Sequence, residues 1–95
     1  MLENIVCVEL VRRGYRLSVG RVDGREIDFV AERNGERLYI QVSYLLQSEE
    51  TLERETSPLL SVPDNYPKLL LTMDRAMGGD HLGVQRLYLP EWLQA

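Results

Sequence analysis

The sequence predicts an α/β domain built on one mixed sheet, and three observations predict it. An apolar helical stretch closed by Gly14 opens the chain. Two dipeptides, Asp23-Gly24 and Asn34-Gly35, then punctuate alternating segments as tight hairpin turns. Residues 68–73 (KLLLTM) form a nearly continuous apolar run, the pattern of a strand covered on both faces. The length of 95 residues makes one domain, 1–95.

Residues 2–13 (LENIVCVELVRR) read as a helix with Arg12 and Arg13 at its negative C-terminal end. Its apolar arc is wide, with Val6, Cys7, Leu10 and Val11 on one flank and Leu2, Ile5 and Val8 on the other. Glu3 falls inside that arc. No residue precedes the helix to cap it, so we expect the chain to be the C-terminal part of a longer protein. A meander follows: strands over 15–22, 25–32 and 37–44. Alternation puts Ile27, Phe29 and Ala31 on one face of the second strand and Glu26, Asp28 and Val30 on the other. In the third strand Leu38, Ile40, Val42 and Tyr44 share a face, with Tyr39, Gln41 and Ser43 opposite. Two-residue loops pair Arg21 with Glu26, Asp28 with Gln41 and Glu26 with Ser43.

Residues 48–57 read as a helix capped by Ser48 and broken or kinked by Pro58. It crosses, in the right-handed sense, to the buried strand 68–73. Residues 64–67 form a turn, 75–83 a loop containing Gly78-Gly79, and 84–89 a last strand. Pro90 opens a short terminal helix carrying Trp92 and Leu93. The predicted order is α-β-β-β-α-β-β-α.

The net charge of −4 is unevenly placed. Residues 1–25 carry five Arg against three acids, whereas residues 26–64 carry three Arg against nine acids. A protein gripping duplex DNA by itself usually presents a basic surface. Here Arg12, Arg13, Arg16, Arg21 and Arg25 offer a local nucleic-acid patch, and the competing reading is a solvated helix face and strand edge. The single cysteine, Cys7, excludes an internal disulfide, and one Cys with one His, His81, makes no structural zinc site. No apolar run reaches membrane-spanning length and no signal-peptide pattern opens the chain, so a cytoplasmic protein is expected.

The chemistry-bearing constellation is Asp28 facing Gln41-Val42-Ser43, with Glu3 brought near by the first helix. An Asp facing an (E/Q)-x-K tripeptide resembles the active site of PD-(D/E)XK nucleases, and the element order resembles their restriction-endonuclease-like core. By that resemblance Asp28, Gln41 and Glu3 stand at metal-holding positions for Mg²⁺ or Mn²⁺, and Ser43 stands where the family has its lysine. The chain's one lysine, Lys68, is distant; the following helix offers Arg54, which stays protonated and is a poor proton-transfer group. The competing reading makes Asp28 and Gln41 a cross-strand polar pair and Glu3 a helix-dipole acid.

The segments EIDFVA, YIQVSY and DNYPK, taken together, are similar to the C-terminal nuclease-like domain of prokaryotic AAA+-type (P-loop) ATPases. The resemblance is clearest over residues 2 to 75. It implies a nuclease-like core with a degenerate catalytic set, working as an accessory or interaction domain. Its partners would be a P-loop ATPase domain, another protein surface or a second copy. A metal-dependent endonuclease and a DNA-binding module without catalysis are the alternatives. No G-x-x-x-x-G-K-[ST] loop occurs in the chain, so it does not hold ATP in the P-loop manner, and no cofactor is expected outside the nuclease alternative.

Overall fold

The computed structural model describes residues 2–22, 24–44, 49–74 and 79–95. The chain runs α1 (Leu2–Arg12), β1 (Arg16–Val22), β2 (Arg25–Arg33), β3 (Glu36–Ser43), α2 (Glu49–Leu60), β4 (Lys68–Thr72), β5 (Gly79–His81), β6 (Val84–Tyr88) and α3 (Leu89–Gln94). One six-stranded mixed sheet has the order β1-β2-β3-β4-β6-β5. The first three strands form the antiparallel meander, and β4 runs parallel to β3 and β6. The predicted mixed sheet holds, but the predicted element order does not. Part of the segment 75–83 read as a loop is β5, a three-residue strand with no alternation of its own. It exists because the two-residue turn Leu82–Gly83 folds it back on β6, pairing His81 with Val84. The expected Ser48 cap, and Asp23 and Gly78 of the expected turns, lie outside the described residues.

The turn chemistry works as the dipeptides demand. Asn34 and Gly35 both take positive φ, 49° and 82°, the signature of a type I′ hairpin. At the end of α1, Gly14 (φ 91°) forms a Schellman motif: its N–H donates to the Val11 carbonyl and that of Tyr15 to the Leu10 carbonyl. Of the expected break or kink at Pro58, the break does not occur: α2 continues to Leu60 with Pro58 inside it. Pro58 denies the Arg54 carbonyl its helical partner, but Pro58 and Leu59 are buried, which offsets that loss.

Two cores flank the sheet. Val6 and Leu10 of α1 and Trp92 of α3 pack on Ile40, Val42 and Leu71. Leu52 and Leu59 of α2 cover Tyr39, Leu70 and Val84 on the opposite face. Strand β4 is therefore buried on both sides, as its apolar run required. Arg13 fastens α1 to α3: it lies 4.5 Å from the Trp92 ring centroid and donates to the Trp92 carbonyl at 2.7 Å. The other side of Arg13 meets Glu9, whose carboxyl is held at about 2 by Arg12 and Arg13. The wide apolar arc expected for α1 is not all buried. Ile5, Val8 and Val11 face outward, because only the arc around Val6 and Leu10 meets the sheet.

Asp64 locks the loop before β4. It accepts the Tyr39 hydroxyl at 2.5 Å and the Tyr66 N–H at 3.0 Å. Lys68 donates back to the carbonyls of Asp64 and Tyr66 at 2.8 and 2.9 Å. The DNYPK segment is thus a structural clasp, and Lys68 has no role near Asp28. No helix among the described residues is long and apolar enough to cross a membrane.

Candidate functional site

The site begins with an irregularity in β2. Ser18 faces Val30 and Gly20 faces Ile27, so Val19 alone opposes both Asp28 and Phe29. This β-bulge turns one residue out of register and re-aims its neighbours. The expected alternation fails here as a result: Phe29 and Ala31 pack on the α1 side, whereas Ile27 joins Val30 on the α2 side. The β2–β3 ladder runs from Arg33 opposite Glu36 to Phe29 opposite Ile40. Continuing that register by one step puts Asp28 across from Gln41, as the Asn34-Gly35 turn predicted. The expected Glu26–Ser43 pair does not appear; Ser43 instead aligns with Thr72 of β4.

At Asp28 side chains take over the ladder. The Asp28 N–H donates to Gln41 Oε1 at 2.6 Å, and the Val42 N–H donates to Asp28 Oδ2 at 2.9 Å. Each polar side chain of the pair satisfies a main-chain donor of the other strand, at the point where the two strands part. Gln41 and Ser43 are only 6% and 7% exposed. They lie on the α2 side with Thr72 and Thr56, both fully buried. The position that resembles a nuclease centre is here a buried polar layer between α2 and the ends of β3 and β4.

Carboxylates surround the half-buried Asp28. Burial pushes its pKa up, the Val42 N–H bond pulls it down, and the charges of Glu3 and Glu26 raise it further. Glu55 of α2 is also raised, first by its own burial and then by the charge of Asp28, with Arg54 opposing. Glu3 is lowered, chiefly by its own backbone N–H in the first turn of α1. Asp28 and Gln41 are thus joined across the two strands, whereas Glu3, exposed at the start of α1, bears on Asp28 only as a like charge, and Asp28 bears on Glu55, which the sequence reading missed, in the same way. A signal was present. Glu55 stands three residues after Leu52 and four before Leu59, inside the inward arc of α2, by the same spacing argument that singled out Glu3. Among the described residues no group of three or more His, Cys, Asp or Glu is arranged to hold a metal ion.

The other sequence candidates are dispersed. Arg12 and Arg13 pair with Glu9, Arg21 lies 3.8 Å from Glu26, and Arg25 bonds the Ser57 hydroxyl. Arg16 is exposed on the edge strand β1, opposite Glu32. The basic residues thus alternate with acids and form no continuous patch. Cys7 is on α1, over the meander, and His81 on β5, the far edge of the sheet.

Thr56 adds one anomaly: its buried hydroxyl finds no hydrogen-bond partner among the described residues. An unpaired buried hydroxyl is costly, and an isosteric methyl is not. Thr56→Val is expected to raise stability by about 1 kcal/mol, read as a higher urea midpoint at unchanged m-value.

No protein-family model matches the chain. It is similar to an uncharacterized protein of Haemophilus influenzae, with 44% identity over 92 residues. The similarity covers 97% of this chain but 22% of the other, so the chain spans about a fifth of the relative it matches.

Proposed function

We propose that this chain is a non-catalytic accessory domain, a degenerate restriction-endonuclease-like core that makes protein contacts within or beside a P-loop ATPase. One observation carries the reading. Gln41 spends its amide oxygen on the Asp28 N–H and Asp28 spends one of its two oxygens, Oδ2, on the Val42 N–H, and Ser43 beside them is buried. A phosphodiester-cleaving centre needs the opposite: carboxylates open to a metal and a scissile phosphate, plus a cation to neutralise developing charge. Neither Ser43 nor the distant Lys68 supplies that cation. The similarity of EIDFVA, YIQVSY and DNYPK to the ATPase-associated domain supports the partner, and the exposed Ile5, Val8 and Val11 on α1 give it an apolar face to meet.

The test is DNA cleavage with Mg²⁺ or Mn²⁺ by the wild type and by Asp28→Asn, which keeps an acceptor for the Val42 N–H. Equal, background-level cleavage is expected from both. Mn²⁺-dependent cleavage that Asp28→Asn abolishes would overturn the reading. It would favour the metal-dependent nuclease instead, for which the half-buried carboxyl of Asp28 beside Gln41 is the supporting observation. Calorimetric titration with Mn²⁺ separates the two, since absence of heat at millimolar metal removes the nuclease reading.

A further inference from the structure

The six-stranded sheet ends in two edge strands, and they differ. β5 is three residues long and carries Asp80, two features that discourage further pairing. β1 has seven residues, Arg16–Val22, with no proline and no acid among them. One edge of β1 pairs with β2 along this whole length. Among the described residues no strand or other main-chain hydrogen bond engages its second edge. Alternate N–H and C=O groups of β1 therefore turn outward in a row, the template on which an extended segment adds as a strand.

The side chains of β1 say what kind of segment. Leu17 joins the core on the α1 side and Val22 the core on the α2 side. Alternation then puts Val19 and Arg21 with Leu17, and Arg16 on the opposite face. Val19 is 67% exposed. Arg16 is exposed as well, and Glu32, its neighbour on β2, is taken by Arg37 at 2.9 Å. Among the described residues Arg16 makes no ion pair. Arg21 reaches Glu26 only at 3.8 Å, with both side chains exposed. The edge thus holds two cations near its two ends, one on each face. A second copy pairing edge to edge brings two more arginines and no acid, so charge opposes it. A DNA duplex laid on either face meets one of the two arginines, whereas an acidic strand on the edge meets both.

We propose that β1 takes up an acidic extended segment of a partner protein as an added antiparallel strand. The segment sets an acid opposite Arg21, apolar residues opposite Val19 and Leu17, and an acid opposite Arg16. Its order is acid-x-apolar-x-apolar-acid. The inner edge already carries that charge complement, with Glu26 facing Arg21 and Glu32 facing Arg16. The bulge lies in β2, so β1 keeps the regular alternation that the added strand reads. Neither Asp28 nor the outer face of α1 takes part, and the inference stands whether or not the domain serves an ATPase.

Fluorescence anisotropy of a labelled Thr-Thr-Glu-Thr-Val-Thr-Val-Glu-Thr peptide, titrated with the protein to roughly 1 mM, tests it. Saturable binding is expected. The same peptide with lysine in place of both glutamates should bind about tenfold more weakly or worse. The double variant Arg16→Glu, Arg21→Glu should reverse that order. Amide exchange on the wild type needs no variant: bound peptide should slow exchange at alternate residues of β1 and leave α1 unchanged. Absence of saturation, equal binding of the two peptides, or protection on α1 in place of β1 overturns the proposal. Duplex DNA that displaces the peptide at physiological salt overturns it in favour of a nucleic-acid surface. Protection of β1 that grows with protein concentration alone overturns it in favour of a second copy.

Discussion

Asp28→Ala is expected to lower stability by about 1–3 kcal/mol, and Asp28→Asn to leave it unchanged or higher at neutral pH. The alanine removes the acceptor of the Val42 N–H, whose residue is buried, and leaves that donor unpaired. The asparagine keeps an acceptor and removes only the charge. For a chain of this size the alanine loss corresponds to a fall in melting temperature of roughly 5–20 °C. The sign of the pH dependence follows from the direction of the shift. Burial raises Asp28 above its ordinary value of 3.8, so the folded state holds that proton more tightly than the unfolded state. Its contribution is fully present below 3.8 and is lost as pH rises through the higher folded value. Glu55, raised from 4.5 for the same reason, adds to this loss over a neighbouring range. Urea unfolding of wild type and Asp28→Asn from pH 3 to 7 should therefore show a gap that widens with pH in favour of the asparagine. Parallel curves would mean that the charge at Asp28 is fully solvated, and a stable Asp28→Ala would mean that the Val42 bond is dispensable.

This result bears on function because it separates holding the sheet from holding a metal. In this structure the carboxylate is partly desolvated, crowded by Glu3 and Glu26, and occupied by a main-chain donor. Such a group stabilises the parting of two strands whichever charge it carries, provided an oxygen faces Val42.

Much of that arrangement was legible in the sequence. The Asn34-Gly35 turn fixes the register, and counting outward from it places Asp28 opposite Gln41 without any structural knowledge. What could not be read was decided by tertiary packing. An inserted residue at Asp28–Phe29 leaves no mark in an alternating pattern, since the strand still contains the same apolar residues. A wide apolar arc on α1 does not say which part of it meets the sheet; Val6 and Leu10 do, and Ile5 and Val8 stay exposed. Pro58 reads as a breaker from propensity alone; burial at the end of α2 outweighs it. A strand as short as β5 has no propensity signal and depends on its partner.

Gly20→Ala should be among the most damaging single changes, and the reason is the same bulge. A Cβ built on Gly20 comes 2.7 Å from Val30 Cγ2 and 3.3 Å from Ile27 Cβ. Neither neighbour can give way easily: Val30 and Ile27 are β-branched, buried, and packed beneath α2. Without the bulge Ile27 would stand on the other face and the contact would not arise; with it, Ile27 and Val30 both crowd the one residue of β1 that has no side chain. Overpacking of this kind costs about 1–3 kcal/mol, and Gly20→Val should cost more. Relief would come from moving β1 away from β2 or from undoing the bulge. Undoing it would withdraw Asp28 from Val42 and release Gln41 as well. Gly20→Ala is therefore expected to lower the melting temperature and to speed amide exchange at Val42, although position 20 lies on a different strand from both. Combined with Asp28→Ala, the two losses should sum to less than their separate values, because both weaken one junction. Strict additivity in that double-mutant cycle, or normal protection at Val42 in Gly20→Ala, would show that the bulge and the Asp28 junction are independent.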